Sequence, residues 1–373
     1  MTTVFSFTKP NDLILEIPPN IQWRSRYQAY LNEICLKAVL PWLKEELTDT
    51  AKSLFNASVL SSIWEFINGT PITLGNKRCI LIPSEAMDDS ELRVPQEWVD
   101  IPDWVADYYL AVHVQAEDGW VRVWGFCSHA QLKSDGNYDA NTRTYSLDAD
   151  EIIDIGAIAT AYDFETQENT RFKIQQIAQL TPTLAQNLIS RLGSLDVMIP
   201  RLSVPFQMWA ALMQHGGWRK ELYQRRQGQS ESWSVLQWLR DGITAATEEL
   251  GWDSSSIQTL AGARGSNNTI APVFSKQLVI AGQIYRLAVT QQTQAGENAW
   301  RFELRSATLG GMLPGGFKIR LLTEDLQSFP NNEDIATTAV ESLYVDVALE
   351  SGEGIVWEIE PLPEDYDREI LRF

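Results

Sequence analysis

The chain has 373 residues, 44% of them hydrophobic, and a formal net charge of −19, with 49 Asp and Glu against 30 Lys and Arg. That length and apolar content support two or three buried cores and exclude a disordered chain. The acidity excludes nucleic acid as the main ligand and weighs equally against anionic lipid, since both are held by Lys and Arg neutralising phosphates.

Three cysteines, Cys35, Cys79 and Cys127, are too few and too scattered for a disulfide framework. The opening MTTVFSFTKPNDLILEIPP lacks the cationic head and unbroken apolar run of a signal peptide. No run of about 18 apolar residues follows anywhere, so a soluble, cytoplasmic protein without membrane contact is expected.

From the N-terminus, WRSRYQAYLNEICLKAVLPWLKEEL places Tyr27, Tyr30, Leu31, Ile34 and Ala38 at helical spacing. Pro41 is expected to kink or end that helix, because it has no amide hydrogen to donate. A second helical stretch, AKSLFNASVLSSIWEFIN, turns Leu54, Val59, Ile63, Trp64 and Ile67 to one side. From about Pro71 the period changes: PITLGNKRCILIP, DYYLAVHVQ and WVRVWGFCS are β-branched and aromatic, as antiparallel strands are. Asp118 and Gly119 read as a two-residue hairpin turn. That turn sets His113 opposite Trp124 and puts Trp120, Arg122 and Trp124 on one face.

TPTLAQNLISRLGS predicts a helix with Thr181 at its cap, Pro182 at its first position and Gly193 at its stop. SWSVLQWLRDGITAATEELG continues helical spacing. After AGARGSNNTIAP, the segments KQLVIAGQIYRLAVTQQ, NAWRFELRSA, GFKIRLL, SLYVDVALE and GIVWEIEP alternate like strands of an antiparallel sandwich. The expected fold class is therefore α+β: N-terminal helices packed on an antiparallel sheet, a helical middle segment, and a C-terminal antiparallel β-sandwich. The corresponding divisions are 1–170, 171–262 and 272–373, with the main boundary at 261–272.

Signatures of chemistry are few. The glycines of GGMLPGGFKIRLL run into alternating Phe317, Ile319 and Leu321 rather than a helix, so Gly315 and Gly316 are a turn before a strand and not a phosphate cradle. AGARGS fails for the same reason. Cys127 and His129 are two apart, but strand alternation puts His113 on the other face, which argues against a metal site. There is no G-x-S-x-G elbow, and the histidines are His113, His129 and His215 alone. The acidic cluster Asp148, Asp150, Glu151 and Asp154 reads as surface, although paired carboxylates could serve a hydrolase if they faced each other across a cleft. No catalytic residue and no cofactor is expected.

Charge is uneven. Residues 191–240 carry 7 basic and 3 acidic side chains, against 14 and 26 in 1–190 and 9 and 20 in 241–373. Arg219, Lys220, Arg225 and Arg226 are thus the cations available to an acidic protein partner. Trp120, Arg122 and Trp124 form a second candidate contact, for a peptide or a sugar.

The ending LPGGFKIRLLTEDLQSFPNNEDIATTAVESLYVDVALESGEGIVWEIEPLPEDYDREILRF resembles the C-terminal signature of an uncharacterised, chiefly cyanobacterial family known as domain of unknown function 1822. YLNEICLKAVLPWL, NKRCILIPSE, VPQEWVDIPDWVADYYLAVHVQ and VWGFCSH are similar to its N-terminal and central blocks. The resemblance brings no catalytic residues with it. It implies a regulatory partner, a signalling or sigma-factor-like protein. The function expected is that of a non-catalytic adaptor for protein–protein interaction, with a hydrolase or a glycan-binding module as alternatives.

Overall fold

The computed structural model describes residues 3–6, 23–86, 90–159, 170–229, 234–235, 251–255, 273–292 and 298–373. The expected boundary at 261–272 and most of the helix expected after Ser232 lie outside them. The chain divides into two compact units, Met1–Ser230 and Glu231–Phe373. The fold is α+β, with sheets that are mostly antiparallel.

In the first unit, α1 (Trp23–Glu46) buries Ile34, Cys35, Val39 and Leu43. Pro41 lies inside this helix rather than ending it. Its ring sits on the exposed side, as does Lys37, so the Lys37 carbonyl that loses its helical donor can be hydrated instead. α2 (Ala57–Trp64) begins at Asn56, whose side chain accepts the amide of Val59. Asn32, fully buried on α1, accepts the Gly69 amide at 2.9 Å and donates to Asn68 Oδ1 at 3.0 Å. That pairing fixes α1 against the chain leaving α2.

A seven-stranded sheet forms the centre, built on the order β1 (Thr3–Ser6), β7 (Trp120–Ser128), β6 (Tyr108–Gln115), β4 (Lys77–Ser84), β3 (Thr70–Leu74) and β2 (Lys52–Ser53). The short β10 (Ile153–Asp154) also pairs with β7. One pairing departs from the expected antiparallel pattern: β4 and β6 run parallel, with Cys79 beside Tyr108. Parallel neighbours need a long crossover. Here it holds β5 (Glu91–Pro95) and α3 (Gln96–Asp100), and β5 joins β9 (Thr144–Asp148) and β8 (Asn137–Asp139) in a separate three-stranded sheet. Alternation along β6 sends Leu110, Val112 and Val114 to the core shared with α1. Tyr109 takes the other face, where its hydroxyl donates to the Trp98 carbonyl at 2.9 Å.

α4 (His129–Ser134) follows β7 directly, and three further helices complete the unit: α5 (Pro182–Leu192), α6 (Phe206–Gln214) and α7 (Gly216–Arg226). α5 starts as expected, with the Thr181 hydroxyl accepting the Leu184 amide and Pro182 in the first turn. Gly193 at its end has φ −71, a conformation open to any residue. Its reason is space: a Cβ there would stand 2.5 Å from Cδ of Arg225 on α7.

The second unit buries one core between two antiparallel sheets, as the strand alternation implies. The first sheet runs β11 (Trp252–Ser255), β12 (Val273–Ile280), β13 (Gln283–Gln291), β14 (Ala299–Ser306) and β17 (Ser342–Ala348). The second runs β16 (Glu333–Ile335), β15 (Lys318–Thr323), β18 (Gly354–Glu360) and β19 (Ile370–Arg372). Trp300, Phe302 and Leu304 of β14 meet Ile319 and Leu321 of β15 and Trp357 and Ile359 of β18 in that core. Phe373 packs on Trp300 with ring centroids 4.6 Å apart.

Gly193→Ala is expected to lower unfolding free energy by about 1–3 kcal/mol, because the new methyl group must displace the Arg225 stem; urea denaturation measures it, and Gly193→Ser should cost at least as much.

Candidate functional site

The hairpin of β6 and β7 differs from its expected register. Gln115 pairs with Trp120, so four residues close the turn, and His113 lies opposite Arg122 rather than Trp124. Beyond that point the pairing shifts by one: Val112 faces Val123 and Ala111 faces Gly125, leaving Trp124 as the extra residue of a bulge. A bulge reverses the parity of the strand that carries it. Cys127, opposite Tyr109, therefore shares a face with His113, contrary to simple alternation. His129 has already left the strand as the first residue of α4. Among the described residues, no three His, Cys, Asp or Glu side chains gather as metal ligands.

Trp120 and Arg122 stay on one face, and all of Trp120, Arg122 and Trp124 are half-buried. The His113 ring stands edge-on to Trp120, with centroids 5.4 Å apart, and Gln115 Nε2 lies 3.2 Å from His113 Nε2. The indole thus packs edge-on against a neighbour on its own face of the sheet.

The four cations of α7 do not form one surface. Arg219 is 1% exposed; its guanidinium donates to Ser62 Oγ at 3.1 Å and the Met213 carbonyl at 2.8 Å, and it lies over the Trp104 ring. Arg226 is 2% exposed and pairs with Glu65 at 3.0 Å. Both are interior groups of the framework. Lys220 is half-buried, and Arg225 is exposed with its guanidinium donating to Ser190 Oγ at 3.4 Å.

Buried charge of this kind recurs. Glu97 on α3 is fully buried and accepts two N–H bonds from Arg201, at 2.9 and 2.6 Å, and the indole N–H of Trp209 at 2.8 Å. In the second unit, Glu369 Oε1 accepts from Lys276 at 3.0 Å and from the indoles of Trp252 at 3.1 Å and Trp357 at 2.9 Å. Periodicity gave no hint of either cluster; the signal available was the high tryptophan content of the chain.

The thiols are not poised as nucleophiles. All three are buried, and burial pushes the Cys127 thiol up to about 12 and those of Cys35 and Cys79 higher still. His129 is locked between two backbone groups: Nε2 lies 3.0 Å from the Val99 carbonyl, and Nδ1 accepts the Phe172 amide at 3.1 Å. Nε2 therefore carries the proton. Burial depresses its basicity, against the opposing pull of the Val99 carbonyl. Asp107 beside it feels burial upward most strongly, but its hydrogen bonds from Arg171, Thr170 and the Arg78 amide together hold the carboxyl below its ordinary range. Asp148, Asp150, Glu151 and Asp154 are exposed, and Asp154 caps the Gly156 amide.

Several of the exposed apolar side chains among the described residues lie at one end of the two-sheet unit. Ala281 and Gly282, with φ of 49° and 74°, turn β12 into β13 there. The loops 307–317, 336–341 and 361–369 start or finish at the same end. They are laced together by backbone bonds: Ala307 to Ile284 at 3.0 Å, Leu313 to Val340 at 2.7 Å, Gly316 to Ala336 at 2.7 Å and Glu364 to Val279 at 2.7 Å. Gly316, at φ +95, makes the turn into β15, so the paired glycines open a strand as expected.

Of the 13 large apolar side chains exposed among the described residues, six belong to this end: Val279, Ile284, Leu309, Met312, Ile335 and Leu362. Leu309 is 97% exposed and Leu362 64%. Lys318 pairs with Glu360 at 2.6 Å beside them, and Arg320 reaches the same carboxylate at 2.8 Å.

The architecture is that of an α+β protein with two separately packed units. A family model described as "Protein of unknown function (DUF1822)" matches residues 21–372, and the chain belongs to that family. No curated protein and no solved structure matches it. Among the described residues, no helix is long and apolar enough to cross a membrane.

Because His129 resists protonation when folded but not when unfolded, its contribution to stability is present above the unfolded value near 6.5 and lost as pH falls through the depressed folded value. Urea midpoints should therefore drop between about pH 7 and pH 5, and the drop should shrink in His129→Gln; an equal drop in both would show that another group titrates.

Proposed function

We propose that this protein is a non-catalytic interaction protein, an adaptor whose second unit recognises another protein through its loop end. The observation that carries the reading is that three exposed apolar side chains, Leu309, Met312 and Leu362, sit at one end on loops that backbone bonds hold in place, with exposed Val279, Ile284 and Ile335 on the strands that lead into them. Large apolar side chains held in water at the tips of ordered loops are costly to keep exposed and mark contact sites. Loops already ordered before binding lose little conformational freedom on docking. Lys318, Arg320 and Glu360 supply the polar rim that such contacts carry.

The partner fits a regulatory setting, signalling or transcription control, with a sigma-factor-like or other signalling protein as the class to look for. Lys220 and Arg225 supply a second contact of opposite character, suited to an acidic surface, and the half-buried Trp120, Arg122 and Trp124 a third. The net charge of −19 supports a protein rather than a nucleic acid as partner. Three buried free thiols fit a reducing, cytoplasmic location.

Tagged protein used to capture partners from native extract should retain one at raised salt, since apolar contact is not screened. Leu309→Ser with Leu362→Ser should reduce recovery at least about tenfold, as losing two buried anchors does. Lys220→Ser with Arg225→Ser should matter only at low salt. Recovery unchanged by the leucine pair would remove the loop end as the recognition surface.

A further inference from the structure

The first unit contains a cavity of about 330 Å³, large enough for a small organic molecule rather than a water or two. Its walls are drawn from α1, the end of α2, β5, β9, residues 198–202 and the last turn of α7. Three arginines line it, Arg93, Arg201 and Arg226.

Their commitments differ. Arg201 is spent on Glu97 and on the carbonyls of Thr142 and Arg143. Arg226 places Nε on Glu65, and Nη1 is shared among the carbonyls of Leu192, Ser194 and Val197 at 3.1 to 3.2 Å. Its Nη2 has no hydrogen-bond partner among the described residues. With the side chain 2% exposed, the open space left to that nitrogen is the cavity. That nitrogen keeps accessible surface rather than being a buried orphan, so it is open to donate to a ligand oxygen. Arg93 adds a second donor group: Glu91 holds its Nε at 2.6 Å, and neither terminal nitrogen has a described partner.

The remaining walls limit what can bring that oxygen. Phe66, Pro95, Met198 and Leu202 are apolar and suit a hydrocarbon body. Glu65 lines the same space, and the Glu97 carboxylate lies behind Arg201, so a head with two negative charges would meet repulsion that a singly charged one largely avoids. A carboxylate matches the planar guanidinium fork and carries one charge. We propose that this cavity binds a small organic carboxylate, with its head on Arg226 Nη2 and Arg93 and its apolar body against Phe66 and Leu202.

Calorimetric titration of the full chain with octanoate and with 4-phenylbutyrate tests the site, using 4-phenylbutanol and phenyl phosphate as comparators. At least one carboxylate should bind saturably, and both comparators at least about tenfold more weakly, the range set by one charge-assisted contact. Arg226→Gln removes its contacts to the framework along with the ligand contact, so the decisive variant is Arg93→Gln, at an exposed position. It should keep the wild-type urea midpoint and weaken the carboxylate about tenfold. No saturable binding of either carboxylate at roughly 10 mM, equal binding of a comparator, or affinity unchanged by Arg93→Gln would each overturn the assignment.

Discussion

A carboxylate buried away from water needs cations and N–H donors around it, and the first unit is organised around one that has them. Glu97 is wholly buried, yet Arg201 grips it with two bonds and the Trp209 indole donates a third. Those partners lie more than a hundred residues downstream. To satisfy the charge, the segment from Pro200 through α6 must come back onto α3, and Arg201 then reaches on to the carbonyls of Thr142 and Arg143 near the start of β9. Removing one partner would leave an uncompensated interior charge, which is far costlier than the net worth of the pair.

The same device, built from other residues, ties the two sheets of the second unit together. Glu369 collects Lys276 and Trp252 from the first sheet and Trp357 from the second. This explains much of the chain's tryptophan content: an indole brings a large apolar body and one donor, so it can fill a core and satisfy a buried acceptor at once. Trp98, donating to the Asn68 carbonyl at 2.8 Å, and Trp64, donating to Thr70 at 3.1 Å, do likewise. Charges that look like binding groups in the sequence are largely drawn inward by this arrangement. At the loop end of the second unit, Leu309, Met312 and Leu362 stay exposed on tethered loops.

Local features of the fold were legible in the sequence, and features that depend on distant partners were not. The cap of α5, the strand alternation after Val273 and the turn at Gly315 and Gly316 follow from spacing over a few residues, and they stand where spacing puts them; α1 is a helix as expected, but its buried side is turned toward Cys35, Val39 and Leu43, with Ile34 the one expected member fully inside. The parallel pairing of β4 with β6 did not announce itself, because it depends on where a crossover of over twenty residues lies. The bulge at Trp124 was hidden too, since one inserted residue leaves composition and alternation nearly unchanged while reversing the strand's parity. Arg219 and Arg226 read as a solvated basic patch because Ser62 and Glu65, which draw them inside, are more than 150 residues away. For the candidate surfaces the lesson is the same: exposure is a property of partners, not of residue type.

The buried clamp is tested most directly by a double-mutant cycle on unfolding free energy with Glu97→Gln, Arg201→Met and the pair combined. Each single change should destabilise by about 3–5 kcal/mol, and the double by much less than their sum, giving a coupling of at least about 2 kcal/mol. Additive losses, with a coupling near zero, would mean that Glu97 and Arg201 do not depend on each other and would contradict the account.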